Sequence, residues 1–417
     1  MEKSVKISPE ILKWARETAG LSLDEAAQKM GFADTEKSTA IEKLRSIEAG
    51  EKSLTKNQLQ KMSSVYRRPL VTFYMKSPPA KGNRGEDFRT TTATVSKREN
   101  ALLDALLRDV RARQQMVKSL LEDEEETKPL KFVDSVKITD DIENVATKIA
   151  KVLFQNTDID ARTGRPAFSR SGNPEDLFRR LRIAVEKTGV FVLLMGDLGS
   201  HHSEISENIF RGFAISDKTA PFIVINSHDA KAAYSFTLIH ELVHIWLGLS
   251  GVSGSLYAES SSNRVEKFCN DVASELLLPA VDLKGYKAPA NKNELADALA
   301  KISSQWCVSE AMVAYRFNQA RLISDRAYKE VIAELSARWQ RLKQKKKQDN
   351  KDAEGAPSYY VVKQYKLGNA LVDVVRRTLR DKALTHTKAA KVLGISAGSV
   401  ETLVKKFEYS TDGGIRR

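Results

Sequence analysis

The chain has 417 residues, 41% apolar and 29% charged, which excludes both a lone small module and a wholly disordered chain and leaves room for two to four domains. Sixty-seven Lys/Arg against 54 Asp/Glu leave a net charge of +13, so anionic partners such as nucleic acid deserve a test, although the balance alone names none. Only two cysteines, Cys269 and Cys307, are present, which excludes a disulfide scaffold and a four-cysteine zinc site.

The first segment, MEKSVKISPEILKWARETAG, lacks the apolar core of a secretory signal. The most apolar short run, Val190 to Met195, is far below the roughly 18–20 residues that cross a bilayer. A soluble, cytoplasmic protein with no membrane partner is expected. Apolar residues recur at helical steps over residues 7–75, with Pro9 behind Ser8 suiting a helix start and Ser22 with Glu25 forming a capping box. Gly31 stops that helix, and Thr39 to Ala49 begins another before Gly50. These short helices make residues 1–76 a compact bundle.

Residues 77–130 form a connector: Pro, Gly and Thr to about residue 95, then a mixed-charge helix over 97–121 closed by an acidic run. Residues 131–342 change character. A helix ending at Gly189 leads to a buried strand, then IFRGFAIS and PFIVIN read as two more strands. PFIVIN could pair with an extended peptide if it lies at a sheet edge. Helices follow over FTLIHELVHIWLG, over NRVEKFCNDVASELLL up to Pro279, over 293–304 and 309–320, and on to about residue 344. Residues 343–357 are a charged linker. The basic tail, 358–417, repeats helix, Gly394 turn and helix, a helix-turn-helix shape. From residue 341 onward, eighteen Lys/Arg meet eight Asp/Glu, so +10 of the total charge is concentrated there. The expected architecture is α+β and mainly helical, with a small β-sheet in the central domain and helix-turn-helix-like modules on either side.

His240-Glu241-Leu242-Val243-His244 is an H-E-x-x-H sequence inside a helix. A separation of four residues places both imidazoles on one face, where they could bind one metal, with Glu241 beside them to take a proton from metal-activated water. The pentapeptide alone also fits two ordinary core histidines. Glu266, 22 residues beyond His244 on the next helix, could supply a third ligand. Two imidazoles and a carboxylate leave one position open, the arrangement of a catalytic zinc. Zn2+ is therefore the expected cofactor and attack on a peptide carbonyl the expected chemistry, with Glu241 as the catalytic carboxylate.

Asn270 could hydrogen-bond a ligand, and Asp271 could hold an imidazole tautomer. His201 and His202 are rim candidates. Asp229 or Ser227, around His228, could cap the zinc helix. Tyr315 and Arg316 could approach the site from a later helix, or serve as core packing and a surface charge. Lys37, Lys43 and Arg45 in the first domain, with Lys388 and Lys391 in the tail, are the candidate DNA contacts.

RGFAIS, PFIVIN, FTLIHELVHIWLG and VEKFCNDVASELLLP together resemble the ImmA/IrrE family of zinc-dependent metallopeptidases. That resemblance implies a zincin-like domain with His240, His244 and Glu266 as ligands, Glu241 as catalytic residue, and Asn270 at the family's Asn in its E-x-x-A-N segment. ILKWARETAGLSLDEAAQKM with the following KLRSIEAGEKSLTKNQLQKM resembles an Xre-type helix-turn-helix domain, and the tail resembles a further helical module of longer relatives. The implied substrate is a helix-turn-helix repressor in a stress, prophage or toxin-antitoxin circuit. A toxin partner, double-stranded DNA and a homodimer are further partners it implies. The rival reading is a DNA-binding regulator or antitoxin that uses the peptidase-like domain as a protein-interaction scaffold.

Overall fold

The computed structural model describes residues 7–79, 86–87, 96–123, 128–155, 158–160, 163, 165–166, 172–199, 203–253, 264–289, 291–349 and 358–412. The chain divides into two compact units. Residues 1–84, 92–110 and 200–205 form the first, and 85–91, 111–199 and 206–417 the second.

In the first unit, α1 (Pro9–Thr18), α2 (Leu23–Met30), α3 (Ala40–Glu48) and α4 (Lys56–Val65) enclose a core of Ile11, Leu12, Ala15, Leu44, Leu59 and Met62. Helix starts are fixed by reciprocal capping boxes: Ser22 with Glu25, Thr39 with Glu42, and Thr55 with Gln58. Ser8 makes no side-chain cap, and α1 starts on Pro9. The longer stretch between α2 and α3 is held by two bonds: Asp34 accepts from the Ala40 N–H at 2.6 Å and Lys43 donates to the Ala33 carbonyl at 2.6 Å. The Lys43 ammonium is thus engaged within the bundle, while Lys37 and Arg45 are exposed. The helix α5 (Lys97–Glu122) gives its residues through Val110 to this unit and the remainder to the second, so it is more than a spacer.

The second unit is built on a five-stranded sheet ordered β1-β7-β5-β6-β4. Its strands are β1 (Glu86–Asp87), β4 (Phe191–Leu194), β5 (Gly212–Ile215), β6 (Phe222–Ile225) and β7 (Gly251–Ser253), while β2 (Ile159–Asp160) and β3 (Arg165–Pro166) form a separate ribbon. β4 pairs in parallel with β6, β5 runs antiparallel to both β6 and β7, and β1 lies parallel to β7. β6, the PFIVIN strand, is therefore interior and cannot receive a peptide at an edge. Strand periodicity marks a buried strand but not which neighbours it takes, hence the difference.

The helices of this unit are α6 (Ile142–Leu153), α7 (Pro174–Lys187), α8 (Tyr234–Trp246), α9 (Arg264–Leu277), α10 (Lys292–Trp306), α11 (Glu310–Gln319) and α12 (Asp325–Asp349). The stretch read as a linker from residue 343 thus starts inside α12, because the Lys and Gln residues there are good helix formers. The tail forms α13 (Tyr359–Leu367), α14 (Asn369–Arg380), α15 (His386–Leu393) and α16 (Val400–Asp412) within the same unit, with α13 and α14 packed against β4. Among the described residues, no helix is long and apolar enough to cross a membrane.

Candidate metal centre

All thirteen residues of α8 are buried, as expected for a helix apolar around its whole circumference. It ends at Gly248 (φ 73°), where the Leu249 N–H returns to the His244 carbonyl at 2.9 Å. A side chain at Gly248 would also strike Asp134. α9 packs along α8 and places Glu266 in its first turn, where a carboxylate suits the helix dipole. Pro279 lies two residues beyond its end.

The three candidate ligands converge. His240 Nε2 lies 3.1 Å from His244 Nε2, and Glu266 reaches His244 Nε2 at 3.0 Å and His240 Nε2 at 3.4 Å. Their donor atoms all fall within 4.8 Å of one another, and all three residues are buried. Asn270, one turn after Glu266, favours the charged form of His240. Burial disfavours the charged form of His240, but Glu266 outweighs it and raises the imidazole pKa. Burial likewise opposes ionisation of Glu266, yet the two imidazoles hold its carboxyl at about 2. Glu241 is fully buried, which pushes its carboxyl up to about 8; His240 pulls the other way and Glu266 reinforces the rise. Neither Glu241 oxygen makes a well-formed hydrogen bond, and the Ser253 hydroxyl is the polar group that eases its ionisation.

This donor set fits zinc. Two carboxylates and two imidazoles are buried together with no Lys or Arg among them, and such a group asks for a cation. His240, His244 and Glu266 would hold it, with the Glu241 carboxylate beside the cluster.

Two neighbours of Glu241 were not singled out in the sequence. Gly212, on β5, has its Cα against the carboxylate: a Cβ there would stand 2.7 Å from Glu241 Oε1 and 2.8 Å from Thr237 Cγ2. A glycine opening the strand GFAI is itself a signal of close approach. Ser253 pairs across the sheet with Gly212, a relation that no local pattern carries.

Other candidates fall elsewhere. Asp271 hydrogen-bonds no described imidazole; it accepts from Tyr315 Oη at 2.6 Å, from Lys267 at 2.9 Å and from Gln319. Tyr315 therefore braces α9 from α11. Arg316 is no surface charge: it is buried, bound to Glu275 at 2.6 Å and to the Leu278 carbonyl at 3.0 Å. Asp229 and Ser227 do not cap α8, which follows a 3-10 turn with no side-chain cap. Asp229 instead pairs with Arg211 at 3.2 Å, and the Ser227 carbonyl accepts from Tyr234 Oη at 3.0 Å. His201 and His202 lie outside the described residues. Lys388 and Lys391 are exposed on α15.

The helix pair brings two imidazoles and a carboxylate together beside a second, buried carboxylate, an arrangement that could hold a metal ion. Residues 189–318 match the sequence model of a peptidase family, the IrrE N-terminal-like domain, and the matched span contains all four residues. No curated protein and no solved structure matches the chain.

Proposed function

We propose that the protein is a zinc-dependent endopeptidase that cleaves a helix-turn-helix transcriptional repressor in a stress, prophage or toxin-antitoxin circuit. The observation that carries the peptidase reading is the convergence of His240, His244 and Glu266 next to the buried Glu241. The repressor rests on the resemblance of the central domain to ImmA/IrrE proteins. When bound, zinc supplies Lewis-acid polarisation of the carbonyl and a more acidic water. The chain's residues do the rest. His240, His244 and Glu266 fix the position of the centre, and Asn270 favours the charged form of His240. With the cation present to offset the burial that disfavours its charge, the Glu241 carboxylate would accept a proton and return it to the leaving amine. Gly212 keeps the strand close without displacing that carboxylate.

The test is elemental analysis of untagged protein purified without added zinc. About one zinc per chain, lost in a folded Glu266→Ala variant, is expected for a three-ligand site. A wild-type chain that stays empty in added zinc would overturn the reading. Glu241→Gln should keep the zinc and lose cleavage of the repressor encoded nearby.

A second reading, binding of double-stranded DNA, is favoured by one observation. α15 and α16 are joined through Gly394 in the left-handed conformation, with Lys388 and Lys391 exposed on the first of the two helices. Binding to duplex DNA that weakens steeply with salt is the expected outcome; salt-insensitive binding, or none, would refute it.

A further inference from the structure

The tail meets α7 around a cavity of about 610 Å³. Its walls are apolar, with Phe178 and Ile183 from α7 facing Val361 and Tyr365 from α13. Val361 is 55% and Tyr365 43% exposed, and Ile183 is exposed as well, so large apolar side chains stand open to water on both sides of the opening. The volume lies within the roughly 300–1,000 Å³ of small-molecule sites, which are concave, mostly apolar and set with a few polar groups.

The charged groups of the lining are arranged by sign. Arg182 and Glu186 are buried and pair with each other at 3.3 Å, so their charges offset. The other two, Arg179 and Lys406, are both cationic and both exposed, which places them at the mouth. Arg179 reaches Asp176 at 2.9 Å, in an exposed pair that solvent screens. Lys406 donates to the Ser358 hydroxyl at 3.3 Å and lies 5.1 Å from the centre of the Tyr360 ring, two neutral partners. An apolar hollow with a cationic mouth complements a molecule with an apolar body and an anionic end. A second copy of the chain fits less well, because it would bring another basic tail, +10 from residue 341 onward, toward the same cations. Duplex DNA offers phosphate without an apolar body to fill the walls.

We propose that the cavity between α7 and α13 binds a small amphipathic anion, with its apolar body against Phe178, Ile183, Val361 and Tyr365 and its carboxylate, sulfonate or phosphate at Arg179 and Lys406. Such a ligand ties the tail to the central domain. It also touches a wall that leads onward, since the Phe178 ring meets Tyr234, the first residue of α8, edge-on at 5.2 Å. The site stands whether or not the metal centre hydrolyses peptides.

The experiment titrates the full chain with two fluorescent probes, cis-parinaric acid as an aliphatic carboxylate and anilinonaphthalene sulfonate as an aromatic anion. At least one should bind at about one molecule per chain, as a single cavity requires, and the tighter of the two gives the class of the ligand. Arg179→Glu with Lys406→Glu reverses the mouth at exposed positions and should weaken that probe about tenfold, while its uncharged analogue binds variant and parent alike. Val361→Asp should weaken probe and analogue together. Deuterium exchange of α7 and α13 should slow when the probe binds. If the double variant fails to fold, Lys406→Gln alone should weaken the anion about threefold. No saturable binding of either probe, binding indifferent to the charge reversal, or protection confined to other helices would overturn the proposal. The first of these outcomes would leave the groove to a helix of a partner protein.

Discussion

Two of the regions in which the second unit buries charge balance it differently. Under the tail helices, Arg182 and Glu186 are both buried on α7 and pair at 3.3 Å. Arg182 also donates to the Val192, Tyr365 and Lys366 carbonyls, and Glu186 accepts from the Asn369 N–H at 3.1 Å. The positive and negative groups offset each other's charge and bond the backbone around them, although Arg182 Nε and Glu186 Oε1, 3.3 Å apart, make no well-formed hydrogen bond. At the centre between α8 and α9 the buried cluster is two carboxylates and two imidazoles, with no Lys or Arg among these four residues. Equal burial thus produces a structural joint in one place and a cation-seeking cluster in the other, because only the first brings its own counter-charge.

Substitutions can break this contrast, beginning with the largest effect. Glu241→Gln removes the proton acceptor and should lower cleavage by about 10²–10⁴-fold, read as kcat on a purified repressor, with bound zinc unchanged. Glu266→Ala should weaken zinc binding by more than about 100-fold in a competition with a chromogenic chelator. Removing the metal from the wild type by chelation should lower its thermal midpoint, with recovery on adding zinc back. Gly212→Ala drives a methyl into the Glu241 carboxylate and should reduce kcat by about 10²-fold while zinc stays bound.

In the self-balanced region, Gly368 lies at φ 79°, and a Cβ there would stand 2.1 Å from Glu186 Oε1. Gly368→Ala should cost about 1–3 kcal/mol in a denaturant titration of the full chain, with no change in metal content. Tyr315→Phe should cost the least, about 1 kcal/mol, since Asp271 retains Lys267 and Gln319. A loss of zinc in this variant would show that Asp271 governs the centre after all.

The local grammar of the chain was readable in advance where neighbours in sequence settle the matter. Ser22 and Glu25 cap each other, His240 and His244 share a helical face, and Pro279 stands just past α9. What escaped depended on partners distant in sequence. Asp229 precedes a helix and reads as a cap, but Arg211, eighteen residues away, takes its carboxylate. Arg316 looks like surface charge until Glu275 is brought beneath it. The place of PFIVIN in the sheet is fixed by which strands flank it, and nothing in its alternation of residues encodes that choice. Gly212 was the exception, since a glycine within an apolar strand already hints at a close neighbour.

The docking of the tail helices against β4 bears on how such a protein can be shortened or inherited. The charged stretch after residue 342 invites a cut, yet a cut there would strand Arg182 and Glu186 without Asn369 or the carbonyls of α13. It would also strip α13 and α14 from the border strand of the sheet. A chain ending at residue 342 should therefore be prone to self-association. The tail can be exchanged between proteins only together with the face of α7 that receives it.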